Sequence, residues 1–215
     1  INLDIHDLLA QQTSYMKKVV IIIPTYNESG NVTPVTKALG KVFNALSSDY
    51  SPMILFVDDQ SPDGTSGVIR TLIKKYPYVK LLENKRKGGL GHAYKKGMIY
   101  ATDRLKADIV FEFDADLSHD PTKIPQMLGA IKSGSDLVLG SRYMTGGGIP
   151  SNWPWYRKFL SVTGNIFIRL VMGNLKIKDW TTGYRAINRR VVETIVPQLS
   201  HQAFQGYTWQ IGFLV

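Results

Sequence analysis

Two aspartates separated by one residue, Asp114 and Asp116, directly follow a hydrophobic run that ends in Phe111-Glu112-Phe113. A strand emerging from the core at this point can direct both carboxylates at one ligand. Carboxylates placed in this way suit a divalent metal that already carries phosphate oxygens, as nucleotide-sugar chemistry requires. For an isolated Asp-x-Asp pattern, a solvated turn at the end of a strand is the simpler alternative.

Composition limits the class of protein. The 215 residues suffice for one globular domain with a sizeable core. The chain has no cysteine, so any metal must be bound by oxygen or histidine ligands. The formal net charge of +9 predicts an anionic partner, and nucleic acid, phospholipid headgroups and a phosphorylated substrate all satisfy that requirement.

The N-terminal residues differ in character from the rest of the chain. Residues 1–15 contain acidic residues and lack the basic start and apolar centre of a signal peptide, so we expect an appendage there. The domain itself is expected over residues 16–215. No uninterrupted apolar stretch approaches the roughly 18 to 20 residues that span a bilayer.

Strand-like and helix-like segments alternate after Lys18. The apolar runs typical of buried strands are residues 19–23, 53–57, 79–82, 109–113 and 137–139. The helix-like segments between them cover residues 32–46, a stretch that follows the turn-rich residues 58–65 and ends at residue 76, and residues 91–101 and 121–132. The last of these starts with the capping pair Asp120-Pro121. This alternation predicts an α/β fold with a mostly parallel sheet covered on both faces.

Polar residues follow the strands at their carboxyl ends. They are Tyr26-Asn27-Glu28, Asp58-Asp59, Asp114-Ala115-Asp116 and Ser141-Arg142-Tyr143. Ligands of parallel sheets bind beyond this edge, so the four exits predict one composite site. The basic, glycine-rich residues 84–92 either contact phosphate there or form a solvated turn.

These motifs, taken in order, resemble those of the family-2 glycosyltransferases, and within them the dolichol-phosphate and polyprenyl-phosphate mannosyltransferases. The resemblance runs from about Val19 to Gln210. It is carried by residues 22–28 (Ile-Ile-Pro-Thr-Tyr-Asn-Glu), 57–65 (Val-Asp-Asp-Gln-Ser-Pro-Asp-Gly-Thr), 89–94 (Gly-Leu-Gly-His-Ala-Tyr), 114–119 (Asp-Ala-Asp-Leu-Ser-His), 140–143 (Gly-Ser-Arg-Tyr) and 182–185 (Thr-Gly-Tyr-Arg). It implies a Rossmann-like GT-A fold that binds a nucleotide sugar.

The resemblance also implies roles for individual residues. It puts Asp114 and Asp116 on Mg²⁺ or Mn²⁺ against the donor diphosphate, with Arg142 beside the phosphates as a third catalytic residue. Relatives often have Gln where this chain has Ser118, so the third metal ligand stays open. The donor-binding residues that the resemblance implies are Pro24, Tyr26, Glu28, Val57, Asp59, Asp114, Ala115, Asp116 and Arg142.

The acceptor side is expected after residue 150. Residues 155–172 mix large apolar side chains with Arg157, Lys158 and Arg169, a composition that suits either a helix in a lipid interface or an ordinary core-facing helix. The resemblance favours the membrane surface and puts Arg157 and Ser161 near the lipid phosphate. It implies the cytoplasmic face of a membrane, a C-terminal truncation of the domain, and an anchor in a missing C-terminal region or a partner subunit.

The activity that the resemblance implies is transfer of mannose from GDP-mannose to a dolichyl or other polyprenyl phosphate by a metal-dependent, inverting displacement, with no nucleic acid as partner. Two alternatives remain open. One is a polyprenyl-phosphate glucosyltransferase that uses UDP-glucose. The other, of a different class, is a basic module that binds nucleic acid, although its carboxylate-rich exits would repel a phosphate backbone.

Overall fold

The computed structural model of the chain describes residues 15–149, 153–199 and 208–214. Its strands are β1 (Lys17–Thr25), β2 (Tyr50–Asp58), β3 (Val79–Glu83), β4 (Ile109–Glu112), β5 (Leu137–Leu139) and β6 (Arg185–Asn188). Its helices are α1 (Val32–Ala45), α2 (Thr65–Lys75), α3 (Leu90–Asp103), α4 (Ile124–Lys132, preceded by a 3₁₀ turn over Pro121–Lys123), α5 (Trp155–Val171), α6 (Arg189–Ile195) and α7 (Thr208–Gly212). The expected appendage over residues 1–15 lies almost entirely outside the described residues.

The six strands form one sheet in the order β3-β2-β1-β4-β6-β5. β1 pairs in parallel with β2 and β4, and β2 pairs in parallel with β3. β6 is antiparallel to both of its neighbours. The prediction of a mostly parallel α/β sheet is therefore confirmed, with one reversed strand that the sequence pattern did not indicate.

Alternate residues of each central strand face different helices. On one face, Ile21 and Phe56 pack with α1, α2 and α4. On the other face, Ile22 and Leu55 pack with α3, α6 and α7. Burial on both faces explains why these strands are continuous apolar runs and not alternating ones.

β2 begins three residues earlier than the sequence pattern predicted, and the extra residues include Pro52. Proline usually argues against a strand because it has no N–H to donate. Here β3 pairs with β2 only from Ile54 onward, so Pro52 lies where that side of β2 is still unpaired.

A fully buried ion pair joins β4 to β6. Glu112 and Arg185 lie opposite each other in the two strands, and Arg185 Nε is 3.5 Å from Glu112 Oε2. Trp209 of α7 donates its indole N–H to Glu112 Oε1 at 2.7 Å. Arg185 also donates to the carbonyl oxygens of Thr182 and Gln210. The pair thus connects β4, β6 and α7 beneath the carboxyl edge of the sheet.

We expect Arg185→Met to lower the free energy of unfolding by about 3 kcal/mol, because it leaves the Glu112 carboxylate buried without its counter-charge. Urea unfolding at neutral pH, followed by tryptophan fluorescence, measures this loss. The double variant Glu112→Gln/Arg185→Met keeps an acceptor for Trp209 and removes the buried charge, so it should be more stable than the single variant. A double variant as unstable as Arg185→Met would contradict this account.

Candidate active site

The carboxyl ends of the strands meet at one edge of the sheet. β1, β2, β3 and β4 run in the same direction, so all four end there. β6 runs the opposite way, and its first residue, Arg185, lies at this edge opposite both Glu112 and Leu139. β5 is also antiparallel to β6, so it ends at this edge as well. The structure therefore brings the four predicted polar exits, which follow β1, β2, β4 and β5, to the same edge.

Asp114 and Asp116 lie in the turn that follows β4. The Asp114 side chain is 43% exposed, and Asp116 is exposed. Leu117 has φ = +61°, which is uncommon for a residue with a large side chain. The N–H of Ser118 closes the turn by donating to Asp116 Oδ1 at 2.9 Å. The turn presents both carboxylates to solvent at the edge of the sheet, while Ala115 between them is buried.

The electrostatic surroundings of this turn shift two pKa values. Partial burial raises the pKa of Asp114; His119 opposes that shift, and the negative charge of Asp116 adds to it. Burial lowers the pKa of His119, against the pull of the two aspartates. A metal ion placed at the turn would relieve the repulsion between the carboxylates.

The donor set fits a divalent ion that brings ligands of its own. Across the part of the chain that the structure describes, no three Asp, Glu or His side chains are grouped to hold a metal. Asp114 and Asp116 supply two carboxylates. Mg²⁺ is commonly bound by one or two carboxylates together with substrate phosphates and water. Ser118 is exposed beside Asp116, and its role as a third ligand stays a prediction.

Asp58 and Asp59, at the end of β2, are both buried and hydrogen bonded within the protein. Asp58 accepts from the side chains of Thr25, Ser61 and Ser66. Asp59 Oδ2 accepts from the N–H groups of Gly88 and Gly89, each at 3.0 Å, and Oδ1 accepts from the Asn84 amide. Asp59 therefore holds the basic, glycine-rich loop in place. Its predicted contact with the donor base or ribose stays a prediction.

The loops after β1 and β2 are joined by hydrogen bonds. Glu28 N–H donates to Thr65 Oγ1, and Ser29 N–H donates to Asp63 Oδ2, each at 3.0 Å. Asp63 Oδ1 accepts from both the N–H and the hydroxyl of Thr65. Thr65 holds the pKa of Asp63 well below its usual range, with Ser29 contributing. The two exits thus form one structural unit.

The residues predicted at the donor nucleotide differ in exposure. Tyr26 is 39% exposed, and the Lys87 ammonium lies 3.4 Å from the centroid of its ring in a cation–π contact. Pro24 and Glu28 are half-buried, and Glu28 accepts a hydrogen bond from Asn31. Val57 is fully buried. Val57 could therefore affect donor binding only indirectly, by packing beneath the residues that contact the donor.

Arg142 is held by a bidentate ion pair. Its Nε and Nη2 atoms donate to the Asp179 carboxylate at 2.8 and 2.7 Å, and Nη2 also donates to Thr181 Oγ1 at 2.7 Å. The Asp179 side chain is fully buried, whereas that of Arg142 is 22% exposed. The guanidinium is thereby fixed in orientation at the edge where the resemblance puts the phosphates.

The model of the family "Glycosyl transferase family 2" matches residues 20–196 of the chain. The chain belongs to this family. It is therefore a glycosyltransferase, as the motifs predicted.

Curated relatives are similar to this glycosyltransferase over most of its length. It is 40% identical to a polyprenol monophosphomannose synthase of Mycolicibacterium smegmatis, over 91% of the chain and 70% of the relative. It is 39% identical to an undecaprenyl-phosphate mannosyltransferase of Micrococcus luteus, over 90% of the chain and 75% of the relative. It is 37% identical to a dolichol-phosphate mannosyltransferase of Pyrococcus furiosus, over 83% of the chain but less than half, 48%, of the relative.

Solved structures support the GT-A-like fold of the glycosyltransferase. A glucosyl-3-phosphoglycerate synthase of Mycobacterium tuberculosis, in complex with UDP, superposes with a TM-score of 0.64 at 18% identity, covering 100% of this chain and 69% of that one. A mannosyltransferase of Pyrobaculum calidifontis, in complex with GDP-Man and Mn²⁺, gives a TM-score of 0.54 at 20% identity, covering 83% of this chain and 46% of that one. At these identities the likeness concerns the fold alone.

Helix α5 of the glycosyltransferase presents a broad apolar surface to solvent. Trp155 is 79% exposed and Leu170 is 68% exposed, and the same surface includes Tyr156, Phe159, Leu160, Ile166, Phe167 and Val171. The alternative of an ordinary core-facing helix is not supported by this exposure. None of the helices that the structure describes is both long enough and apolar enough to cross a membrane.

The predicted acceptor residues lie on or near this helix. Ser161 Oγ is 2.6 Å from the Tyr143 hydroxyl, which connects α5 to the segment that carries Arg142. Arg157 stacks on Trp153, with its guanidinium carbon 3.9 Å from the ring centroid. Their contact with a lipid phosphate stays a prediction.

Two positioning residues at this site were missed by sequence reasoning. Asp179 fixes Arg142, and Asn165 connects α5 to the same loop by accepting from Trp180 N–H at 2.7 Å and donating to Thr181 Oγ1 at 3.2 Å. Asp179 lies just before the Thr182–Arg185 motif, and that proximity was the available signal. Nothing in the sequence indicated the role of Asn165, because a polar residue in an apolar helix does not show which residue it bonds.

We expect Asp63→Ala to destabilise the glycosyltransferase most at neutral pH. The folded-state pKa of Asp63 lies below its unfolded value, so its contribution is fully present above the ordinary aspartate pKa of about 3.9 and is lost as the pH falls below it. Denaturant midpoints of Asp63→Ala and the unsubstituted chain should therefore converge as the buffer is made acidic. Asp103→Ala, an exposed aspartate at the end of α3, serves as control. A difference that does not change with pH would contradict the assignment.

Proposed function

We propose that the chain transfers a mannosyl group from GDP-mannose to the phosphate of a dolichol or other polyprenyl lipid. The observation that carries this proposal is the Asp114-Ala115-Asp116 turn, whose two carboxylates reach solvent at the edge where the polar exits meet. The chain is also 37–40% identical to relatives named as polyprenol, undecaprenyl and dolichol phosphate mannosyltransferases. We assign the whole of residues 16–215 to this catalytic domain, with its site facing a membrane surface on the cytoplasmic side.

Asp114 and Asp116 would hold Mg²⁺ or Mn²⁺. When bound, the ion supplies positive charge that stabilises the leaving diphosphate. Arg142, fixed by Asp179, adds a guanidinium in a set orientation beside the same phosphates. Tyr26, Pro24 and Glu28 line the nucleotide side, with Val57 and Asp59 behind the base and ribose.

The reaction is a single inverting displacement. An oxygen of the acceptor phosphate forms a bond to the anomeric carbon of mannose, and the bond from that carbon to the β-phosphate oxygen of GDP breaks. The electron pair of the broken bond leaves with GDP. A phosphate monoester is largely a dianion near neutral pH, since its second pKa is about 6, so the protein need not supply a strong base. Catalysis then consists of positioning and charge stabilisation.

Calorimetric titration with GDP-mannose, GDP and UDP-glucose, each with Mn²⁺ and with EDTA, tests the donor. We expect the two guanine ligands to bind and EDTA to abolish or weaken that binding. Preference for UDP-glucose would transfer the proposal to glucosyl transfer. Absence of binding by every ligand would contradict a nucleotide-sugar site in this chain.

We expect Asp116→Asn to reduce mannosyl transfer roughly 100-fold or more, because it removes a negatively charged metal ligand. Transfer of radiolabelled mannose to a short polyprenyl phosphate measures the loss, and circular dichroism measures the fold. Asp136→Asn is the matched control, since Asp136 is a half-buried aspartate just before β5 that pairs with Arg190, away from the Asp114 turn. Near-normal turnover by Asp116→Asn would refute the metal assignment.

The exposed surface of α5 supports a site that works against a lipid bilayer. Its apolar side chains are accompanied by Arg157 and Arg169, a combination typical of helices that lie in the headgroup region. The buried side of the helix carries Asn165, which links it to the loop that fixes Arg142. A bilayer bound to α5 would hold the lipid phosphate next to the site.

The triple variant Phe159→Ser/Phe167→Ser/Leu170→Ser should bind vesicles at least about tenfold more weakly, because each exposed apolar side chain contributes of the order of 1 kcal/mol or more when it enters the bilayer. Co-sedimentation with vesicles of phosphatidylcholine and phosphatidylglycerol measures the effect. Ile99→Ser, an exposed apolar residue on α3, is the control. Unchanged binding by the triple variant would exclude α5 as the membrane contact.

A further inference from the structure

Two side chains from separate elements reach the two oxygens of the Asp114 carboxylate. The hydroxyl of Tyr94, on α3, donates to Asp114 Oδ1 at 3.3 Å. His119, in the loop after β4, places Nε2 at 3.4 Å from Asp114 Oδ2. Tyr94 is fully buried, and the His119 side chain is 13% exposed. The carboxylate therefore accepts a hydrogen bond from Tyr94 and has the His119 ring nitrogen next to its second oxygen.

The backbone determines which nitrogen of His119 carries the proton. The Asp114 N–H donates to His119 Nδ1 at 3.0 Å, so Nδ1 must present a lone pair. In the neutral ring, the single proton is then on Nε2, the atom that faces Asp114 Oδ2. One histidine thus accepts from the backbone of Asp114 and presents a donor to its side chain.

The orientation of the imidazole is fixed by aromatic packing. It stacks on Tyr184 with ring centroids 5.0 Å apart and planes at 9°. Phe113 contacts both rings edge-on, at 5.4 Å in each case. Tyr184 is itself anchored, because its hydroxyl donates to the carbonyl oxygen of Asp120 at 2.9 Å. Rotation of the imidazole away from Asp114 would break the stack.

We propose that Tyr94 and His119 are positioning residues that fix the Asp114 carboxylate for the divalent ion, and that they do so as neutral donors. This inference rests on the metal role of Asp114 in the proposed function. Neutral donors orient a carboxylate without cancelling its charge, whereas a lysine or arginine at the same distance would compete with the ion. Partners of metal ligands in other proteins typically contribute 10- to 100-fold in metal affinity.

Three substitutions separate the parts of this arrangement. Tyr94→Phe removes the hydroxyl and keeps the buried ring. His119→Asn keeps an acceptor near the Nδ1 position for the Asp114 N–H and removes the donor at Nε2. His119→Gln does the reverse, since its amide nitrogen reaches the Nε2 position. Tyr100→Phe, on the same helix as Tyr94, is the matched control.

The dissociation constant of Mn²⁺ in the presence of saturating GDP, measured from the electron paramagnetic resonance signal of free Mn²⁺, is the primary readout. We expect Tyr94→Phe and His119→Asn each to raise it roughly tenfold or more, with a smaller rise for His119→Gln and no change for Tyr100→Phe. Circular dichroism without metal should show that Tyr94→Phe and His119→Asn remain folded.

The outcomes distinguish this inference from the proposal on which it rests. Tight Mn²⁺ binding by the unsubstituted chain with unchanged affinity in Tyr94→Phe and His119→Asn overturns the positioning role and leaves the metal site intact. Absence of Mn²⁺ binding by the unsubstituted chain overturns both. A rise in the dissociation constant that merely follows loss of folded protein also overturns the positioning role.

Discussion

The geometry of the site depends on the buried ion pair between Glu112 and Arg185. Glu112 is the last residue of β4 and Arg185 the first of β6, so their pairing fixes the reversed strand against the strand that leads into the Asp114 turn. Arg185 also bonds to the carbonyl of Gln210, which holds α7 below the same edge. Burying two charges is costly, and the cost is tolerated only where each partner is present. The pair therefore specifies one arrangement of β4, β6 and α7.

Left-handed residues then turn the chain at three of the strand exits. Asn27 follows β1 with φ = +60°, Gln60 follows β2 with φ = +57°, and Leu117 follows β4 with φ = +61°. Each conformation is disfavoured for a residue with a side chain, and most so for Leu117. Such strain persists where surrounding hydrogen bonds determine the backbone. The bonds of Asp58, Asp63 and Asp116 to neighbouring N–H groups supply that determination.

The sequence was informative wherever local pattern decides structure. Five strands and their order of alternation with helices could be predicted, because strands buried on both faces must be apolar throughout. β6 could not, because a four-residue strand that begins with Arg185 is stabilised by a glutamate far away in the chain. Asp179 and Asn165 could not be predicted for the same reason, because each acts through hydrogen bonds to residues distant in the sequence and belongs to no local motif. The position of the polar exits at one edge could be predicted from strand direction. The hydrogen bonds within and between these exits could not.

Burial separates aspartates that the sequence presents as equivalent. Asp58, Asp59 and Asp179 lie at the ligand edge, yet all three are buried and their oxygens accept hydrogen bonds from protein groups. They fix the turn after β2, the basic loop and Arg142. Asp114 and Asp116 reach solvent instead, and the partners of Asp114 are a hydroxyl and an imidazole. The buried aspartates thus use their negative charge to hold cationic and backbone groups in place. The carboxylates of Asp114 and Asp116 remain accessible at the position where a cation and a diphosphate would bind.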